Sequence, residues 1–139
     1  MMWIRNVAAI DVAQNNFPDP GANSMLIQIA DTVSPWWPET QREFCEVHRF
    51  QFLDIEDKDE GAEEHGITEQ QAAELVKLLQ HAKHNQMNVV VHCTAGICRS
   101  GAVTEVAVML GFDDPGIFRN PNLRVKKKLM QQLGWSYEK

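Results

Sequence analysis

Hydrophobic residues along this 139-residue chain repeat with two periods. Ser24 to Ala30, "SMLIQIA", and Arg49 to Ile55, "RFQFLDI", follow the two-residue alternation of strands, and the second sets Phe50 and Phe52 on one face. Val89, Val90 and Val91, within Asn88 to His92, form a β-branched run that reads as a short buried strand. The helical period takes over in "GITEQQAAELVKLLQHAKHN". There Thr68 is an N-cap candidate with Gln71 three residues on, and Leu75, Leu78 and Leu79 make an inward stripe. Gly101 to Leu110 has the apolar density of a packed helix, and Asn122 is placed to cap a last helix ending near Leu133. A further short helix is expected in "SPWWPETQREFCEVH", opened by Ser34 and prolines and turning Phe44 and Val47 inward. Strands alternating with helices predict an α/β fold, a single domain over residues 1–139 with a mainly parallel sheet covered on both faces by helices. Ligands of such sheets bind beyond the carboxyl ends of the strands.

Composition narrows the setting. No Pro/Gly/Ser-rich linker, repeat or low-complexity tract divides the chain, and its apolar runs fall far short of the roughly 20 residues a membrane span needs. The N-terminal "MMWIRNVAAIDVAQNNF" has an apolar patch broken by Arg5 and Asp11 and lacks a signal cleavage site, so a soluble, cytoplasmic protein is expected. Three cysteines, an odd number, point to reduced thiols rather than a disulfide framework. A formal net charge of −6 repels polyanions, so nucleic acid is not an expected partner, and the short apolar runs leave no membrane expected either. The acidic run from Asp54 to Glu64 reads as a solvated, mobile loop, and Arg124, Lys126, Lys127 and Lys128 as the solvent face of the last helix.

The stretch "VVVHCTAGICRSGAVTEVAVML", Val89 to Leu110, carries the chemistry. Cys93 ends a strand and the next helix follows with no linker, so Cys93 to Ser100 is a strand-to-helix turn. Such a turn aims consecutive backbone N–H groups and the positive end of a helix dipole at one point, where an anion belongs. Gly96 lets the backbone turn tightly, and the planar guanidinium of Arg99 matches two oxygens of a phosphate. A cysteine facing that ring is set up as a thiolate nucleophile for attack on phosphorus. Ser100 places a hydroxyl near the sulfur, and His92 orients the loop from below.

His92 to Ser100 resembles the HC-x5-R-S/T signature of the protein tyrosine phosphatase superfamily, and its "AGI-x-RS" form is most similar to the small dual-specificity group. The resemblance implies that this turn is the phosphatase P-loop. It implies that Cys93 is the nucleophile that forms a cysteinyl-phosphate, that Arg99 binds phosphate, and that Ser100 assists the second step. Thr94, Ala95, Gly96, Ile97, Cys98 and Arg99 would supply N–H donors. The implied activity is hydrolysis of phosphotyrosine, and of phosphoserine or phosphothreonine, in proteins or peptides, without a cofactor. A phosphate-binding pseudophosphatase is the alternative. "CTAGICRS" also resembles the C-x4-C-R-S loop of low-molecular-weight tyrosine phosphatases, and Asp114-Pro115 matches their late Asp-Pro. Cys93 falls late in the chain for that group, so Asp114 reads as a turn residue.

Expelling an alkoxide or phenoxide requires a proton from a carboxylic acid on a movable loop. In the dual-specificity group the acid follows the strand before the long helix, which directs attention to "FLDIEDKDE". Asp57 is the expected acid, just beyond a strand ending at Ile55, with Asp54 and Asp59 as alternatives. Glu39 in "WWPET" precedes that strand and fits less well. Cys45, His48, Cys93 and Cys98 could form a zinc set, but Arg99 would place positive charge beside the ion, so no metal is expected. Cys98 reads either as a packing residue or as a thiol able to reach an oxidised Cys93, and the asparagine turn "RNPNL" as a helix cap or a brace for the site.

Overall fold

Val89, Val90 and Val91 are fully buried and sit at the middle of a sheet, because β-branched side chains on both faces of a strand leave it no stable place elsewhere. A computed structural model describes residues 2–136. In chain order it contains β1 (Ile4–Ala8), α1 (Ala9–Ala13), β2 (Ser24–Ala30), β3 (Glu46–Gln51), α2 (Ala62–His65), α3 (Glu69–His84), β4 (Asn88–Cys93), α4 (Arg99–Leu110) and α5 (Leu123–Gln132). The strands pair in the order β1-β4-β2-β3, all parallel. Every residue of β2 is buried, as befits a strand with neighbours on both sides and cover on both faces. The expected α/β class and mainly parallel sheet are what the structure shows.

Strand alternation divides the core in two. Met25, Ile27 and Ile29 of β2 and Val89, Val91 and Cys93 of β4 join a large cluster with α3, α4 and α5. Leu26 and Val90 turn the other way, onto Val7, Val12 and Phe17. The long helix begins as read: Thr68 Oγ1 accepts from Gln71 N at 3.1 Å and Gln71 Oε1 from Thr68 N at 3.0 Å, a reciprocal cap worth about 1 kcal/mol. Asn122 Oδ1 likewise accepts from Val125 N at 3.0 Å at the start of α5.

Several expectations are corrected. The segment from Ser34 to His48 forms no helix: Ser34 adopts φ +51°, and the Pro38 carbonyl accepts from the Gln28 side chain, tying the segment to β2. Phe44 still turns inward, its ring 6.1 Å from that of Phe17, whereas Val47 is half-exposed on β3. The third strand occupies Glu46–Gln51 instead of Arg49–Ile55, because Phe52 N makes a last backbone bond to Ala30 O and Leu53 N then turns to His65 O. As the outer strand of that side it alternates in exposure, carrying Glu46, His48, Arg49 and Gln51 with Val47. The N-terminal segment, read only as a broken apolar patch, supplies β1 and α1. No helix among the described residues is long and apolar enough to cross a membrane.

The acidic and basic runs meet each other. Arg124 is buried, 3% exposed; its Nη1 donates to Asp57 at 2.7 Å and Glu63 at 3.3 Å, and its Nη2 to Ile67 O at 3.0 Å. The Glu56 carboxylate accepts from Leu123 N and Arg124 N, both at 2.9 Å, where the α5 dipole favours negative charge. Lys127 reaches Asp57 and Lys128 reaches Glu69. The loop is thus docked on α5, and Arg124, Lys127 and Lys128 of the basic run are paired.

Candidate active site

Cys93 closes β4 and Arg99 opens α4, so Thr94 to Cys98 form the whole turn at the carboxyl end of a central strand. Gly96 has φ +75°, and a Cβ there would lie 2.3 Å from the Val7 carbonyl carbon and 2.4 Å from Ala8 N. Only glycine fits between the loop and β1.

The loop carbonyls are held from outside. Thr94 O accepts from Ala9 N at 3.2 Å, Ile97 O from Asn120 N at 3.1 Å, and Cys98 O from Asn122 N at 2.9 Å. Gly96 O accepts from Asn6 Nδ2 at 2.7 Å. In a trans peptide the N–H points opposite to the C=O. Each carbonyl drawn outward therefore turns the next N–H, those of Ala95, Ile97, Cys98 and Arg99, toward the inside of the loop. Four donors beside a helix N-terminus make a cradle for an oxyanion.

Arg99 is buried to 4% exposure and anchored at one end. Its Nη1 donates to Asp31 Oδ1 and to Phe52 O, both at 2.8 Å, and Nη2 donates to Thr94 Oγ1 at 3.1 Å. Nε has no partner among the described residues. Nη1 carries two bonds and Nη2 one, so the Nε–Nη2 edge keeps a hydrogen on each nitrogen for two-pronged contact with a phosphate. Ser100 Oγ lies 3.2 Å from Cys93 Sγ, within reach to donate to a thiolate. His92 is fully buried on the opposite face of β4; burial lowers its pKa to about 4, against an opposing pull from the Cys93 backbone and with a smaller push from the Arg99 charge. The ring is neutral at physiological pH and steadies the strand by packing.

The candidate acids separate in space. Asp54 accepts from Asn122 Nδ2 at 2.7 Å and lines a cleft of about 300 Å³ together with Cys98, Asn120 and Asn122. Burial first, then the nearby Asp54 and Cys93 charges, raise the Cys98 thiol above its usual pKa. Asp57 is not brought to the loop. Its bond to Arg124, reinforced by Lys127, holds its carboxyl below the usual range, which keeps it ionised. Asp59 accepts from Glu56 N at 2.7 Å and fixes the turn.

The other candidates lie apart from this arrangement. Asp114 accepts from Gly116 N and pairs with Arg119, as a turn residue does. His48 pairs with Glu46, and the described residues hold no group of three or more side chains suited to a metal ion. Asp31 escaped sequence reading, although it directly follows β2 at the carboxyl end of the sheet, where ligand-facing residues belong. Asn6 escaped because β1 itself was not read.

No family model matches the chain, and no curated protein matches it in sequence. Solved structures do. Human DUSP28 superposes with a TM-score of 0.60 at 13% identity over 93% of this chain and 90% of its own. Tk-PTP in its active form superposes with a TM-score of 0.51 at 14% identity over 100% of this chain and 85% of its own. At this identity the likeness speaks for architecture: the chain has the fold of the small dual-specificity-like cysteine phosphatases.

Proposed function

We propose that the protein hydrolyses phosphomonoesters, chiefly phosphotyrosine and also phosphoserine or phosphothreonine in proteins and peptides, through a cysteinyl-phosphate. The observation that carries this reading is the Cys93–Ser100 contact at 3.2 Å, in a loop whose carbonyls are bonded from outside and whose Arg99 keeps Nε without a partner among the described residues. In the first step Cys93 Sγ attacks phosphorus, an S–P bond forms, and the P–O bond to the leaving group breaks. The equatorial oxygens take the loop N–H groups and the Nε–Nη2 edge of Arg99, which stabilise the charge of the transition state. Asp54, rather than Asp57, protonates the leaving oxygen: Asp54 sits in the cleft beside the loop, whereas Asp57 is held as an anion by Arg124. In the second step the Asp54 carboxylate takes a proton from water, the water oxygen attacks phosphorus, and the S–P bond breaks. Ser100 donates to the departing thiolate, and inorganic phosphate leaves. No metal takes part, since Arg99 and the N–H groups supply the positive charge. Three free thiols fit a reducing compartment such as the cytoplasm.

The test is hydrolysis of an aryl phosphate by the parent and by Cys93→Ser, with EDTA and with vanadate. The parent should turn over, be indifferent to EDTA and be blocked by vanadate, and Cys93→Ser should bind phosphate but lose turnover. Appreciable hydrolysis by Cys93→Ser sinks the covalent route. A parent that binds phosphate without turnover is a binding module instead.

A further inference from the structure

Asn6 is a polar residue in the interior of β1, between Ile4 and Val7, and is 2% exposed. Its amide donates to Gly96 O at 2.7 Å and to Phe118 O at 3.3 Å, while its own Oδ1 has no partner among the described residues. An apolar side chain would fill this position without stranding an acceptor. What asparagine adds is an amide whose shorter bond is aimed at the carbonyl of the loop glycine. We propose that Asn6 is a positioning residue that holds the Gly96–Ile97 peptide in its anion-binding orientation. The inference rests on the phosphatase reading only in taking the loop as an oxyanion cradle.

The neighbouring carbonyls show why this peptide needs a dedicated holder. Those of Thr94, Ile97 and Cys98 are drawn outward by backbone N–H groups fixed in other parts of the fold. The Gly96 carbonyl alone of these four depends on a side chain. Glycine at φ +75° turns its peptide with little steric resistance. Without the amide, the carbonyl can rotate into the cradle, where its oxygen repels phosphate and the Ile97 N–H is lost as a donor. Asn6 is bonded to the opposite side of that peptide from the anion, so it acts through the loop and touches no substrate.

The test is binding of inorganic phosphate by calorimetry, with amide NMR of Gly96 and Ile97, in the parent and in Asn6→Leu. The leucine variant loses both bonds and should unfold at a lower midpoint, so its affinity is read at a temperature where it is fully folded. It should bind phosphate roughly 10- to 100-fold more weakly, the worth of the one hydrogen bond that the Ile97 N–H would give the anion. The Ile97 amide, shifted by phosphate in the parent, should stay unshifted. Should leucine prevent folding, Asn6→Ala removes the same donor without bulk. Equal affinity and an equal Ile97 shift in a folded variant overturn the proposal. Phosphate binding by a parent that hydrolyses nothing, lost in Asn6→Leu, upholds the proposal while removing the enzymatic reading. A parent that binds no phosphate overturns both.

Discussion

At the scale of single residues, two carboxylates three positions apart illustrate how partners decide roles. Asp57 is tied to Arg124 and Lys127, and Asp54 is bonded by Asn122 in the cleft beside Cys98. Asp54→Asn should lower turnover of substrates with poor leaving groups by roughly 10²–10⁴ and remove the basic limb of the pH profile, while activated aryl phosphates lose much less. Asp57→Asn should not show that leaving-group dependence, and kcat measured across a series of aryl phosphates separates the two. His92 gives a second residue-scale expectation. Its pKa is lowered by burial to about 4, so between the ordinary value of 6.5 and about 4 the unfolded chain takes up a proton that the folded one refuses. Stability from this group is complete above pH 6.5 and falls as pH drops toward 4, by up to about 3 kcal/mol. Urea midpoints at several pH values should therefore fall more steeply on acidification for the parent than for His92→Gln, and equal slopes would refute the assignment.

At the scale of elements, the docking of the acidic segment on α5 replaces a movable loop with a clamped one. Arg124 has a buried guanidinium, while Asp57 and Glu63 are about half and mostly exposed, so water screens part of each pair. Arg124→Ala should cost about 1.5–3 kcal/mol in urea unfolding, since it strands the Ile67 carbonyl and leaves two carboxylates facing each other. Arg124→Lys should recover only part, because a point charge cannot serve three acceptors in one plane. The sequence made the elements with strong periods legible: Thr68 with Gln71, the leucine stripe, the three valines and the turn from Cys93 to Arg99 all depend on neighbours close in the chain. It was silent where the partner is distant. Glu56 and Asp57 meet residues 67 positions away, and nothing local to either run announces the pairing. The third strand was misplaced for a related reason: Leu53 looks like a continuation of the alternation, yet its N–H is claimed by His65. At the site, the residues of the loop were readable because glycine, arginine and serine have fixed offsets from the cysteine. Asp31 and Asn6 were not, since each acts by reaching the loop from another strand.

At the scale of the whole molecule, 19 acidic against 13 basic residues give a net charge of −6, and the cleft beside the loop carries Asp54 and Glu56. Long-range attraction should therefore favour phosphopeptides with arginine or lysine around the phosphorylated residue. Their kcat/KM should exceed that of acidic counterparts by roughly tenfold or more at low salt, with the gap narrowing as ionic strength rises. A preference that is insensitive to salt would locate specificity in direct contacts. The same charge has a different consequence at the border of the sheet. β3 offers an open row of backbone donors and acceptors, the kind of margin on which a second chain can lay down a strand and start a fibril. Glu46, His48, Arg49 and Gln51 alternate along it with only Val47 and Phe50 apolar, so an incoming strand would have to strip water from charges to pair. The strand that leads toward the cleft beside the loop thus also carries, in its polar side chains, a barrier to edge-to-edge pairing between copies of the protein.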